Sequence, residues 1–297
     1  MPSLPPRPSP ARVAALTALA MLAFAANSLL CRLALQRGAI DAASFTSIRL
    51  LAGAIVLWLA LRVQSGSGHT AGDWPSAVAL FAYAAGFSFA YLSLPAGTGA
   101  LLLFGAVQVT MIGHGLWHGE RLRAAQTAGF VAACGGLVAM LLPGVHAPPW
   151  QGALLMLGAG VAWGIYSLRG RGTANPLAMT AGNFGRAGAL TLVMSLALVP
   201  VLVPVRTAAL DATGIACAIA SGALASGAGY AVWYAALRGL TATRAAAVQL
   251  TVPVIAALGA VAFLGETITL RLALTSVVVL GGVAFVIGAR AAPMGRG

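Results

Sequence analysis

The chain has 297 residues, 60% of them hydrophobic and only 7% charged, with a mean hydropathy of +0.93. Soluble domains carry about 25% charged residues, so a water-covered surface is excluded, and with it a soluble enzyme or a nucleotide-driven motor. The net charge of +12 comes from arginine alone, scattered singly or in pairs, which argues against a nucleic-acid interface.

Residues 1–11 are rich in proline and polar groups and read as a disordered tail. Segmenting the rest by apolar runs broken by charge, proline and glycine predicts ten helices. These are Arg12–Leu35, Phe45–Arg62, Trp74–Leu94, Thr98–Trp117, Ala124–Leu142, Trp150–Leu168, Pro176–Val199, Gly214–Leu237, Thr243–Leu264 and Thr269–Ala289. The first is too long for a signal-peptide core and counts as a span. Runs of about 20 apolar residues cross a bilayer as helices. If the N-terminus is cytoplasmic, eleven arginines fall on cytoplasmic segments and four on opposite loops, with Arg49 and Arg186 inside helices. The positive-inside bias therefore favours cytoplasmic termini. Cys31, Cys134 and Cys217 lie in apolar runs without a disulfide or metal-ligand pattern and read as packing residues.

The chain also repeats itself. Placing Gly119-Glu120 on Gly265-Glu266, an offset of 146, also brings Gly135-Gly136 onto Gly281-Gly282 and Gly113 onto Gly259. Earlier in each half the offset shifts, and Arg49 in RLLAG faces Arg186 in RAGAL. The halves are 12–143 and 150–290. Five spans is an odd number, so the second half enters the membrane from the opposite side. The predicted fold is an all-α integral membrane protein of ten transmembrane helices, built as two inverted five-helix repeats, with any substrate site between the halves near mid-membrane.

These features resemble the EamA-type branch of the drug/metabolite transporter superfamily. The resemblance rests on the two five-helix halves, the Gly-Glu after each fourth helix, the glycine-rich fifth helices, and Arg49 and Arg186. It runs from about residue 12 to 289, and within the superfamily the chain is similar to bacterial amino-acid exporters of the YddG type. The resemblance implies a multi-pass protein of the bacterial inner membrane. Its third, fourth, eighth and ninth helices would surround a central cavity, with the first and sixth contributing.

The candidate substrate groups are polar and aromatic. Tyr83, Phe87 and Tyr91 recur every four residues and share a helix face. Tyr230, Trp233 and Tyr234 cluster in the eighth helix, and Trp163 and Tyr166 in the sixth. Tyr83, Phe87, Trp163, Tyr166 and Trp233 are read as lining a cavity; interfacial or lipid-facing packing is the plainer alternative, and it claims Trp74, Trp117 and Trp150 at helix ends. Asn27, Asn183 and Gln249, with Ser28 and Gln108, offer neutral partners for a zwitterion or simply bond neighbouring helices. Arg49 and Arg186 are expected to snorkel to the interface or meet a helix C-terminus or backbone carbonyls, in a structural or gating role, with direct substrate contact as the alternative. Glu120 and Glu266 are expected to cap or pair near the fifth and tenth helix starts. Pro253 and Gly259 would permit bending.

No span carries a carboxylate, which disfavours proton-coupled export of cations. Walker loops, nucleophile elbows and HEXXH are missing, and no cofactor or metal is expected; the His114–His118 pair has no third ligand. The function these readings imply is a secondary transporter that exports small metabolites, amino acids foremost, by alternating access, as a facilitator without proton coupling. Its partners are a small-molecule substrate and membrane lipid. Organic phosphates, nucleotide sugars or drugs are alternative cargoes, and an intramembrane enzyme or receptor is the alternative class.

Overall fold

The computed structural model describes residues 9–65, 68–119, 121–170, 173–202, 211–240 and 242–291, and the regular elements among them are all helices. The expected tail therefore lies mostly outside the described residues, and Glu120 lies outside them entirely. The helices are α1 (Pro10–Gln36), α2 (Ala42–Ser65), α3 (Trp74–Ala90), α4 (Ala96–Trp117), α5 (Ala124–Leu141), α6 (Trp150–Arg169) and α7 (Pro176–Leu202). There follow α8 (Ala212–Ala220), a π-helical segment Ser221–Ala228, α9 (Gly229–Leu237), α10 (Ala242–Gln249), α11 (Thr251–Gly259), a second π segment Ala260–Leu264, and α12 (Leu270–Ala291). Taken as continuous runs, eight helices among the described residues are long and apolar enough to cross a bilayer. Of the other two expected runs, α3 is shorter, with 17 residues, and α7 has 27.

Local chemistry sets the helix starts. Asp73 caps α3, accepting from the Ser76 backbone N–H (2.9 Å), with Pro75 in the first turn where no N–H is needed. Asn175 accepts from the Ala178 N–H at the start of α7, and Thr269 from the Leu272 N–H at the start of α12 (3.1 Å). The ninth run differs from the unbroken helix expected. It breaks at Leu250 between α10 and α11. Pro253 is the physical reason: it has no N–H for the carbonyl of Gln249, four residues earlier, so the α-helical ladder cannot run through.

Large apolar side chains point outward along the helices, among them Leu22, Ile55, Leu59, Val138, Leu154, Val193, Leu258, Val277 and Phe285. A surface like this needs a lipid solvent. Contacts between helices are made by small residues instead. A methyl group on Gly129 would lie 2.7 Å from the Gly282 carbonyl oxygen, so the α5 and α12 backbones touch there. The repeated Gly-Gly motif thereby acquires a physical meaning. Gly136 and Gly282 face the α5–α12 contact, whereas Gly135 and Gly281 face open space.

α2 packs on α7, α3 on α6, and α1 on α9. α4 packs on α6 and α11 on α1. The space left between α1, α3, α4, α6, α9 and α10 holds the candidate site.

Candidate functional site

A cavity of about 370 Å³ occupies that space. Of the residues expected to line it, Asn27, Tyr83, Phe87, Trp163, Tyr166, Trp233 and Gln249 do so. Trp163 is its hub: its ring lies 5.3 Å from that of Tyr230, nearly parallel, 4.8 Å from Tyr83 and 5.4 Å from Tyr166. Phe24 closes the ring of aromatics, 5.7 Å from Tyr230 and 6.0 Å from Trp233. Phe24 and Met111 were not singled out from the sequence, being apolar residues in apolar helices. Tyr230 and Tyr234 belong to the aromatic cluster noted there, and Ser28 and Gln108 to the polar set; all four also line the cavity. Asn183 does not. Its Oδ1 accepts from the Asp73 backbone N–H (3.0 Å) and its amide nitrogen is buried without a partner, so it ties the start of α3 to α7.

A polar chain runs behind the aromatic wall. Ser221, the first residue of the π segment, donates to Asn27 Oδ1. The Asn27 amide nitrogen donates to the Tyr83 hydroxyl at 3.4 Å. The same hydroxyl accepts from Arg49 Nη2 at 2.9 Å. Arg49 is 1% exposed, and its guanidinium lies 4.8 Å from the Phe87 ring centre and 5.2 Å from that of Tyr83. Its Nε and Nη1 have no partner. The expectation that Arg49 would snorkel or reach backbone carbonyls is therefore corrected. It sits too deep in α2 to leave the bundle, and Gly222 lies against its backbone, drawing α2 close to the π segment. Arg186 does take a backbone carbonyl, that of Ala71 (2.9 Å), while half-buried. Arg49 and Arg186 are thus used differently.

The two ends of the bundle also differ. Gly170, Thr173, Pro176 and Leu237 belong to the lining, so the cavity reaches the end formed by the α6–α7 and α9–α10 connections. Asp73 and Arg169 pair at that end (2.8 Å). Partial burial would raise the Asp73 carboxyl, but the Ser76 backbone N–H, Arg169 and the Ser76 hydroxyl hold it below its ordinary value.

At the opposite end Arg32 meets Glu266 (Nε–Oε1 3.1 Å) and donates to the Tyr91 carbonyl (2.9 Å). The other oxygen of Glu266 accepts from the Ala96 N–H at 2.7 Å. Glu266 therefore caps α4, not α12 as expected. Gly265 in the left-handed conformation (φ 68°) turns the chain, and a carboxylate at the positive end of α4 is favourable.

These features define a multi-pass helical membrane protein with an aromatic, partly polar cavity inside its bundle. Residues 150–288 match the model of the EamA-like transporter family. The chain is 55% identical over 280 residues to the uncharacterized protein PA1977 of Pseudomonas aeruginosa, covering 94% of this chain and 96% of that one. A crystal structure of another protein, 20% identical, superposes with a TM-score of 0.66 over 96% of this chain and 100% of that one; at such identity the likeness concerns the fold alone. The second half of the chain, residues 150–288, is thus an EamA-like transporter domain.

Proposed function

We propose that the whole chain is an EamA-like protein and a ten-span secondary transporter of the bacterial inner membrane that exports small metabolites, amino acids foremost, by alternating access. The observation that carries this reading is the cavity. It is lined by aromatic rings and by the neutral groups of Asn27, Ser28, Gln108, Ser167 and Gln249, and reaches one end of the bundle while the Arg32–Glu266 pair holds the other. A solute of a few to a dozen heavy atoms fits about 370 Å³. With cytoplasmic termini, the reached end is the cytoplasmic one, which suits loading for export.

The helix pairs support the two-half reading. Exchanging the halves turns α3–α6 into the contact between the eighth run and α1, and α4–α6 into that between α11 and α1, while α2–α7 and α5–α12 map onto themselves. Among the described residues the carboxylates of Asp41, Asp73, Asp211 and Glu266 all sit at helix ends, which favours a facilitator over a proton-coupled carrier. Phosphorylated cargo is less well served, because Arg49 beside the cavity is not joined there by Arg186.

Flux of labelled amino acids from proteoliposomes of the purified chain, with and without a pH gradient, tests the proposal. Saturable flux insensitive to the gradient supports it. Absence of flux for every amino acid would remove the substrate class.

A further inference from the structure

We infer that Tyr83 and Arg49 form a carboxylate subsite, so that the cavity selects solutes by a single negative charge and can dispense with their ammonium group. This rests on the transport reading for its physiology but on independent geometry for its chemistry. Both groups that reach the Tyr83 hydroxyl, Arg49 Nη2 and Asn27 Nδ2, are donors. The phenol proton is thus left for an acceptor, and Tyr83 lines the cavity. The donor behind it is a permanent cation. Arg49 is buried at 1% exposure with two donor nitrogens unmatched, and the described carboxylates are all at helix ends. Glu266 is already engaged by Arg32 and the α4 N-terminus. A buried charge left without an opposite charge is costly, and a carboxylate arriving against Tyr83 offsets it.

The same bookkeeping sets what the rest of the cavity asks of a solute. Among the described residues no carboxylate lines it, so an ammonium group would find only neutral acceptors, such as the amide oxygens of Gln108 and Gln249 and the hydroxyls of Ser28 and Ser167, and the faces of aromatic rings. A cation would also be repelled by Arg49. An aromatic or large apolar side chain, in contrast, can stack among Phe24, Trp163, Tyr230 and Trp233. The class of solute is therefore a monocarboxylate with an apolar or aromatic body, of which amino acids are one kind.

Four probes with one ring and different heads test this: 3-phenylpropionate, phenylalanine, phenethylamine and 3-phenylpropanol. Binding to the purified full chain in detergent is measured by calorimetry, and flux of the same compounds in proteoliposomes. The expected result is binding of the two carboxylates at least about tenfold tighter than of the amine or the alcohol, the size of a charge-assisted hydrogen bond. Tyr83→Phe keeps the ring and removes the donor; Arg49→Gln removes the charge. Each should erase the preference for 3-phenylpropionate over 3-phenylpropanol while leaving alcohol binding in place, which a merely structural role would not do. If Arg49→Gln fails to fold, Tyr83→Phe decides alone. Phenethylamine binding as tightly as 3-phenylpropionate, a preference that survives Tyr83→Phe, or binding by none of the four would overturn the subsite. Carboxylate binding without flux would instead overturn the transport reading and leave the subsite standing.

Discussion

Glu266→Gln tests whether the Arg32–Glu266 contact holds one end of the bundle shut. The two side chains are only 17% and 15% exposed, so their interaction is poorly screened. The carboxylate makes two charge-assisted contacts, to Arg32 Nε and to the Ala96 N–H at the start of α4. Glutamine keeps one acceptor oxygen and loses the charge, so the closed arrangement should lose about 2–3 kcal/mol. At about 1.4 kcal/mol per factor of ten, the open population rises about 30- to 150-fold while it remains small. Cys31 is a native reporter, fully buried and next to Arg32 in α1. In a background with Cys134→Ala and Cys217→Ala, the maleimide labelling rate of Cys31 in the purified protein should rise by that factor. Arg169→Gln, which breaks the pair with Asp73 at the other end, should leave it unchanged. A rise under about threefold, or an equal rise in Arg169→Gln, would refute the assignment.

Three further outcomes are expected. Trp163→Ala removes ring contacts with Tyr83, Tyr166 and Tyr230, each worth about 0.5–1.5 kcal/mol, and should weaken phenylalanine binding at least about tenfold; unchanged affinity would place the solute elsewhere. Gly282→Val forces apart the α5 and α12 backbones and should cost about 1–3 kcal/mol, seen as a lower Tm in detergent, whereas Gly281→Ala, whose methyl meets open space, should change it by less than about 0.5 kcal/mol. Asp73 has a depressed carboxyl pKa in the folded state, so its contribution to stability is present above the unfolded value of about 3.9 and is lost as pH falls through the folded value. The Tm gap between Asp73→Asn and the parent chain should therefore be full at pH 7 and shrink below pH about 4, and a gap independent of pH would contradict the role given to the ionised carboxylate.

Composition and run length were enough to read a bundle of membrane helices, because lipid leaves a chain few other ways to satisfy its backbone. The period of four at Tyr83 and Phe87 placed two rings on one face, and both line the cavity. Phe24 and Met111 could not be found that way, since an apolar residue in an apolar helix carries no mark of which side it faces. The π segment at Ser221–Ala228 was equally hidden, since its small residues are ordinary for a span; α2 approaches it closely at Gly222. The break at Leu250 had a visible cause in Pro253, but proline is tolerated inside spans often enough that its sequence position does not fix the outcome. For Glu266 the expected capping chemistry is present but on another helix, because after the Gly265 turn its carboxylate meets the positive end of α4.

If the two halves are related as proposed, the fate of the paired arginines is where their sites part. Phe87 and Trp233 occupy equivalent places at the repeat offset, and both line the cavity. Arg49 and Arg186 are matched only after the offset shifts, and Arg49 is sealed behind Tyr83 and Phe87 while Arg186 is spent on the Ala71 carbonyl. On the two-half reading this one aromatic pair keeps the symmetry, while the other rings and the charge do not. On the proposed reading this difference gives a solute a fixed orientation: its carboxylate goes to the α2–α3 side and its body to the rings of α6 and α9. Arg186→Gln should then leave the carboxylate preference intact while Arg49→Gln abolishes it. Equal loss from both would mean that the arginines act as a symmetric pair through the bundle, not through contact with the cavity wall.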